Sequence, residues 1–318
     1  NIWCWNDEFQ SRFNDYYPEV EKVSKDKSTT TLKDGTVVKW TINPNENNNY
    51  QNKLDEALLN QEKASADDKI DIFLIEADYA LKYVDSDYTM DIKDLGLTDD
   101  DLSEQYQYTK DIVTIDGTQK GTTWQATPGL FAYRRSIAKD VLGTDDPDEI
   151  SAMVSDWDSF IETGKKIKEA SGGAVNMIPG IDTLVQPLVN QTGLRWRDEN
   201  KLMVQENFTD TIELMLKLKE AEIDAGLDVW TPAWNASFGQ GNVFCYPGSC
   251  WFQSYVIEPN DPEGSGNWGV AEVPGGAYNW GGIWWGMYNQ SENKDAVAAW
   301  MKYELSKEGA QNKYDLIH

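Results

Sequence analysis

The stretch "IDIFLIEADY", residues 70–79, decides the fold class of this chain because it joins a buried strand to a polar loop. Residues 70–75 are almost entirely apolar, as expected for a strand that is covered on both faces. Glu76 and Asp78 follow directly after it. A strand of this kind belongs to an open, mostly parallel sheet with helices on both sides. We therefore expect an α/β protein.

The segments that precede this strand alternate between strand and helix. The pattern predicts an apolar strand at 2–5, a helix at 9–20 bent near Pro18, an alternating strand at 36–43 and a helix at 50–58. Together with residues 70–75 they form a βαβαβ unit. Later apolar stripes at 157–167, 208–216 and 296–303 predict three further helices with buried faces.

Length and charge restrict the kind of partner. The chain has 318 residues, enough for two lobes, and a net charge of −26. Nucleic acid and anionic membranes are not expected as partners, because both require a basic surface. No apolar run is long enough to span a bilayer. Residues 1–5 carry no basic segment before the first apolar run, so we expect any export signal to be removed or absent.

Cysteine and histidine usage argues against a metal site or a cofactor. The chain has three cysteines and a single histidine, His318, and no paired-cysteine spacing for zinc. In "CYPGSC" (245–250) a Pro-Gly turn between Cys245 and Cys250 is compatible with a disulfide or with two free thiols. We expect no metal ion and no cofactor.

Polar and aromatic residues follow all three predicted strands of the βαβαβ unit. In open α/β sheets, ligands bind beyond the carboxyl ends of the strands. The residues found there are Trp5, Asn6, Asp7 and Glu8 after the first strand, an asparagine cluster that includes Asn47 after the second, and Glu76 and Asp78 after the third. Carboxylates and amides suit a ligand rich in hydroxyl groups, and aromatic rings suit the apolar face of a sugar. Asp7 could instead cap the first helix.

Fourteen tryptophans are more than a core of this size needs. Trp40, Trp157 and Trp300 fall on apolar stripes and are expected in the core. Others lie beside turn residues or strand ends, where a ligand contact and a core position both remain open: Trp5, Trp124, Trp251 and Trp284. The stretch "PGGAYNWGGIWWGMYNQ" (274–290) combines such rings with flexible backbone.

Several of these segments, in this order and spacing, resemble the sugar-type extracellular solute-binding proteins of bacterial ABC importers. The resemblance extends over nearly the whole chain and is carried by "IWCWNDEF", "DKIDIFLIEADYALKYVDSDYTMDIKDLG", "GTTWQATPGLFAYRRSI", "PGSCWFQSY" and "WGVAEVPGGAYNWGGIWWGMYNQSENKDAVAAWMKYELSKEGAQ". It implies a two-lobed periplasmic-binding-protein-like fold of type II, with open, mostly parallel sheets joined by a hinge. The first lobe would comprise 1–124 and 280–318, and the second 125–279.

The resemblance also implies a function and a site. An oligosaccharide would bind in the cleft between the lobes and pass unchanged to the permease subunits of an ABC importer after hinge closure. The protein would be a monomer at the cell surface, lipid-anchored in its precursor, or in the periplasm. The expected ligand-binding residues are Trp5, Asn6, Asp7, Glu8, Asn47, Glu76, Asp78, Trp124, Gln125, Trp196, Trp251, Trp280, Trp284 and Trp285.

One departure and two alternatives accompany this resemblance. Members of the family usually cross back a third time and finish with helices in the second lobe, whereas this chain ends soon after a first-lobe helix. A glycoside hydrolase also pairs carboxylates, which Asp7, Glu8, Glu76 and Asp78 could supply. An acidic sugar would require arginines, and Arg195 and Arg197 flank Trp196.

Overall fold

The computed structural model describes residues 1–191, 197–198 and 200–317. The chain divides into two compact units: unit 1 contains Asn1–Ala126 and Gly282–His318, and unit 2 contains Thr127–Gly281. The chain therefore passes from one unit to the other twice. Gly281 (φ 75°) and Gly282 (φ 120°) stand at the second passage, in backbone conformations that favour glycine.

The strands of the described residues are numbered in chain order. They are β1 Ile2–Cys4, β2 Val20–Val23, β3 Thr29–Leu32, β4 Val37–Ile42, β5 Ile72–Glu76, β6 Thr114–Ile115, β7 Thr118–Gln119, β8 Gly129–Arg134, β9 Arg197–Asp198, β10 Lys201–Leu202, β11 Cys245–Ser249, β12 Trp268–Ala271 and β13 Ile283–Met287.

The α-helices of the described residues are numbered in the same way. They are α1 Glu8–Tyr16, α2 Asn49–Leu59, α3 Ala80–Val84, α4 Gln107–Asp111, α5 Arg135–Ile137, α6 Pro147–Met153, α7 Trp157–Ala170, α8 Val185–Gln191, α9 Val204–Glu220, α10 Pro232–Gln240, α11 Glu258–Asn260, α12 Lys294–Leu305 and α13 Lys307–Ile317.

Unit 1 contains a six-stranded sheet in the order β13-β5-β1-β4-β3-β2. β1 lies at its centre and pairs in parallel with both β4 and β5, as the βαβαβ pattern predicts. The flanking strands β13, β3 and β2 pair antiparallel with their neighbours. The parallel centre matters for function, because the carboxyl ends of β1, β4 and β5 meet at one edge of the sheet.

One element of unit 1 differs from the sequence expectation. The predicted helix at 9–20 ends at Tyr16, and β2 and β3 follow as an antiparallel hairpin that the sequence pattern did not predict. Tyr17 is extended (φ −78°, ψ 114°) because a residue before proline avoids the helical region. Pro18 therefore ends this helix and does not bend it.

Aromatic side chains form much of the core of unit 1. Phe9 contacts the rings of Trp40, Trp285 and Trp300 at centroid distances of 5.6, 5.7 and 5.0 Å. Trp40 and Trp300 are buried, as their positions on apolar stripes predict. Much of the tryptophan content of this chain is therefore structural.

Unit 2 is built on a three-stranded antiparallel sheet in the order β11-β8-β12. Alternate residues of β8 face opposite sides: Phe131 and Tyr133 enter one apolar cluster and Ala132 enters another. The second cluster also contains Trp234 and Phe238 of α10. This second cluster supports the tryptophans described below.

One expectation for unit 2 was wrong, and an alternative left open for its cysteines is resolved. Ile212 and Leu216 of α9 are exposed, because the helix packs through a stripe displaced by about one position that includes Phe208 and Leu218. No disulfide joins Cys245 to Cys250. The Pro-Gly pair between them lies inside β11 and forms no turn. The four extended steps of this strand separate Cys245 from Ser249, the residue before Cys250, by about 13 Å, too far for a disulfide.

Among the described residues, no helix combines the length and apolar character needed to cross a bilayer.

Candidate functional site

The polar residues predicted from the sequence collect at the carboxyl edge of the sheet of unit 1. Cys4 pairs with Ile42 at the ends of β1 and β4, and Ile2 pairs with Ile72 of β5. The residues that follow β1 and β5 therefore emerge at the same edge. Trp5, Asn6, Asp7 and Glu8 follow β1, and Glu76 ends β5.

Glu8 and Gln125 are brought together at this edge, although they are far apart in sequence. Gln125 Nε2 donates to Glu8 Oε1 at 3.4 Å, and Gln125 Oε1 accepts the backbone N–H of Ile283 at 3.1 Å. Arg12 Nε, one turn along α1, donates to the same Glu8 oxygen at 3.1 Å. These bonds fix the Glu8 carboxylate, whose side chain is 16% exposed.

Glu76 is a carboxyl group of this edge with a raised pKa. Its Oε2 accepts the backbone N–H of Asp78 at 2.8 Å. Burial, followed by the charge of Asp78, raises the pKa of Glu76 to about 7. A protonated carboxyl group can donate as well as accept, so Glu76 can serve either hydrogen-bonding role toward a hydroxyl group.

The remaining predicted residues of this edge have different exposures. Asp7 is exposed and makes no capping bond to α1, so the helix-cap alternative does not describe its side chain. Asn6 Oδ1 accepts the N–H of Glu8 at 3.2 Å. Trp5 is half-buried with its ring edge-on to Tyr50. Two more exposed residues were predicted here: Asn47, in a left-handed turn (φ 55°), and Asp78.

Trp284 and Trp285 are not stacking platforms. Each is 1% exposed. Trp284 Nε1 donates to the carbonyl of Thr109 at 2.8 Å, and the Trp285 ring stacks on Trp124 at 4.7 Å and meets Trp300 edge-on at 4.3 Å. The sequence expectation failed because every residue of β13, including its glycine, is buried, so the strand has no solvent-facing side. Trp124 is half-buried against this core.

Unit 2 contains two of the tryptophans that the sequence led us to expect at the ligand, Trp251 and Trp280. Trp251 and Trp280 are both half-buried and lie edge-to-face at 5.6 Å, and Trp251 Nε1 donates to the Trp280 carbonyl at 2.9 Å. Trp230 joins them: its ring is nearly parallel to that of Trp251 (15°, 6.3 Å) and edge-on to that of Trp280 (6.2 Å). We call Trp230, Trp251 and Trp280 the tryptophan cluster.

Trp230 is the member of this cluster that the sequence reasoning missed. It is 57% exposed and has a left-handed backbone conformation, φ 67°. It occupies the third position of the turn Asp228–Thr231, where the N–H of Thr231 points to the carbonyl of Asp228 at 3.4 Å. Glycine is usual at such a position, and a bulky residue there is strained. Retained strain of this kind at an exposed ring is typical of a binding site.

Trp196, another predicted ligand residue, lies outside the described residues, as do Arg195 and His318. Only the backbone of Arg197 is described. No group of three or more potential metal ligands occurs among the residues that the structure covers.

A two-unit α/β chain with a polar sheet edge in one unit and an exposed tryptophan cluster in the other has the components of a ligand-binding protein. The chain belongs to the bacterial extracellular solute-binding protein family, whose model matches residues 30–317. This family is the one that the sequence segments resemble, and the expected periplasmic-binding-protein-like α/β fold is confirmed by solved structures of similar proteins.

Similar proteins include both a curated sequence and crystal structures. A lactose-binding protein of Rhizobium radiobacter is 24% identical over 310 residues, which cover 92% of this chain and 67% of that protein. The sugar-binding protein MalE from Xanthomonas citri is 16% identical with a TM-score of 0.70, covering 96% of this chain and 74% of that one. A binding protein from B. animalis subsp. lactis in complex with beta-1,6-galactobiose is 18% identical with a TM-score of 0.65, covering 98% and 72%.

Proposed function

We propose that this solute-binding protein binds a neutral oligosaccharide and delivers it, chemically unchanged, to the permease of an ABC importer. The tryptophan cluster of unit 2 stacks on the apolar faces of the sugar rings. The carboxylates and amides at the sheet edge of unit 1 offer hydrogen-bonding groups that suit a ligand rich in hydroxyl groups. The protein acts outside the cytoplasmic membrane, in keeping with its family.

One observation carries the proposal: a tryptophan that is 57% exposed is held in a strained backbone conformation next to three other indoles, those of Trp234, Trp251 and Trp280. An exposed indole face suits the C–H face of a sugar ring. By analogy with aromatic pairs, each stacked ring contributes about 0.5–1.5 kcal/mol, and each net hydrogen bond about 1 kcal/mol. Two or three rings with several hydrogen bonds give roughly −8 kcal/mol, equivalent to a micromolar dissociation constant.

The charges of the described residues favour a neutral ligand over an acidic sugar. Three arginine side chains are described, and all three are engaged within the protein. Arg12 pairs with Glu8, Arg134 pairs with Asp261, and Arg135 donates to backbone carbonyl groups. With a net charge of −26, the protein repels an anionic ligand at long range.

Isothermal titration calorimetry of the full chain tests the proposal. The panel consists of neutral gluco- and galacto-oligosaccharides of two to four rings, with uronic-acid oligosaccharides of the same lengths as competitors. We expect micromolar binding of at least one neutral compound and loss of more than about tenfold in affinity in Trp230→Ala, because a stacked ring and its desolvation are removed. Tyr314→Ala removes a similarly exposed aromatic ring from α13 and is the matched control.

Two results would contradict the proposal. Preferential binding of the uronic-acid compounds would assign an acidic ligand. New reducing ends after incubation with the bound oligosaccharide would assign a hydrolase and would place Glu8 or Glu76 in catalysis.

A further inference from the structure

We propose that the corner Pro179–Asp182 is the positioning element of the Trp230 ring, and that Asp182 acts as a positioning residue for ligand binding. The inference rests on the proposed role of Trp230 as a sugar platform. It assigns a function to Gly180 and Asp182, which do not belong to the tryptophan cluster.

The chain before Trp230 is attached to this corner by a series of hydrogen bonds. The N–H of Ala225 donates to Ile178 O at 3.0 Å, and the N–H of Leu227 donates to Pro179 O at 2.9 Å. The next bond in the series is made by a side chain: the N–H of Val229 donates to Asp182 Oδ2 at 2.8 Å. Asp182 therefore anchors the residue directly before Trp230.

The corner approaches this segment closely only because residue 180 is glycine. A Cβ added to Gly180 would lie 2.2 Å from the carbonyl oxygen of Leu227, a contact that requires the backbone to move. Gly180 is buried, and the hydrogen bonds made by the N–H groups of Leu227 and Val229 lie on either side of this contact. The absence of a side chain at Gly180 thus permits the short distance between the corner Pro179–Asp182 and the segment that precedes Trp230.

A second anchor holds the other side of the turn. Thr231 caps α10, with its Oγ1 accepting the N–H of Trp234 at 3.2 Å. Trp230 lies between the two anchors with φ 67°, a conformation that a bulky residue leaves when it is not restrained. Because the Trp230 ring is largely exposed, its orientation depends on these backbone anchors as well as on its ring contacts. Loss of the Asp182 bond therefore allows the turn to relax and the ring to reorient.

The test compares three variants of the full chain: Asp182→Ala, which removes the acceptor, Asp182→Asn, which keeps an acceptor oxygen, and Asp156→Ala. Asp156 is the matched control because its Oδ1 also accepts one backbone N–H, that of Ser159 at 2.7 Å, at an exposed site of unit 2. Each protein is labelled with 5-fluorotryptophan, and the fluorine resonance of Trp230 is assigned by its absence in Trp230→Phe. Affinity for the best neutral oligosaccharide of the calorimetric panel is measured in parallel.

We expect Asp182→Ala to shift or broaden the Trp230 resonance and to weaken binding about fivefold, the value of one hydrogen bond. Asp182→Asn should return the Trp230 resonance to its wild-type position and the affinity to within about twofold of the wild-type value. Asp156→Ala should lower thermal stability and leave both readouts unchanged.

The two readouts separate failure of this inference from failure of the proposed function. An unchanged Trp230 resonance in Asp182→Ala overturns the positioning role whether or not a sugar binds. A shifted resonance with unchanged affinity overturns the role of Asp182 in ligand binding. If the wild-type protein binds no oligosaccharide, the proposed function fails, and the fluorine spectra alone still decide whether Asp182 positions the ring.

Discussion

The rings of Trp230 and Trp251 lie 6.3 Å apart with their planes 15° from parallel, although twenty residues of chain separate them. Trp251 belongs to the segment that follows β11, and Trp230 to the turn before α10. The two indoles are therefore stacked, with the exposed ring of Trp230 on the half-buried ring of Trp251.

Replacement of Trp230 by glycine distinguishes the contribution of this ring to ligand binding from the effect of its backbone conformation on protein stability. The expected result is loss of more than about tenfold in oligosaccharide affinity, with a free energy of unfolding higher than that of Trp230→Ala by about 1 kcal/mol, because glycine adopts φ 67° without strain. Calorimetry and urea unfolding measure the two quantities. If glycine proves less stable than alanine at this position, the backbone strain that we assign to Trp230 is absent.

Replacement of Trp284 by alanine should damage the fold. Its indole is 1% exposed and bonds to Thr109, so truncation leaves a cavity and an unpaired carbonyl. We expect a loss of about 3–5 kcal/mol in the free energy of unfolding, measured with urea. A well-folded variant of near wild-type stability that has lost sugar affinity would return Trp284 to the binding site, as the sequence first led us to expect.

The stability of the protein should depend on pH through Glu76. Its pKa rises from an ordinary value of 4.5 to about 7 on folding, so the folded state binds more protons than the unfolded state between these values. The contribution of Glu76 to stability is therefore present below pH 4.5 and is lost as the pH rises through 7. Urea unfolding of Glu76→Gln at pH 5, 6, 7 and 8 should lack this decline. Identical pH profiles for the two proteins would show that Glu76 titrates normally.

The three cysteines should react in two classes. Cys4 and Cys245 are buried, and burial raises the pKa of both thiols, whereas Cys250 is exposed. A thiol reagent should therefore modify Cys250 in the native protein, and all three cysteines in denaturant without reductant. If only Cys4 reacts after denaturation, Cys245 and Cys250 form the disulfide that the structure argues against.

The candidate site was predictable to different degrees in the two units. In unit 1 the polar residues follow strands whose apolar character is plain, so the rule for parallel sheets places Glu8 and Glu76 at one edge. The bridge between Glu8 and Gln125 joins residues 117 positions apart, and no periodic pattern records such a contact. The resemblance to a known family supplied Gln125.

In both units the tryptophans could be recognised as unusual, but they could not be sorted into buried and exposed rings. Trp284 and Trp285 stand among glycines in the sequence, yet β13 is buried along its whole length. Trp230 lies in the short segment between α9 and α10, and the signal that marks it is a backbone angle, which the sequence does not show. A local motif such as Asp228 to Thr231 is compatible with several turn types.

The order of residues alone determined the α/β class, the parallel centre of unit 1, the acidic surface and the membership of a solute-binding family. Apolar periodicity and charge are local properties, so a linear chain displays them fully. Only the tertiary structure decided which indoles are buried, where Trp230 lies and which backbone anchors fix it. Those outcomes depend on long-range packing, and the burial of a ring is set by neighbours that the chain brings to it from distant positions.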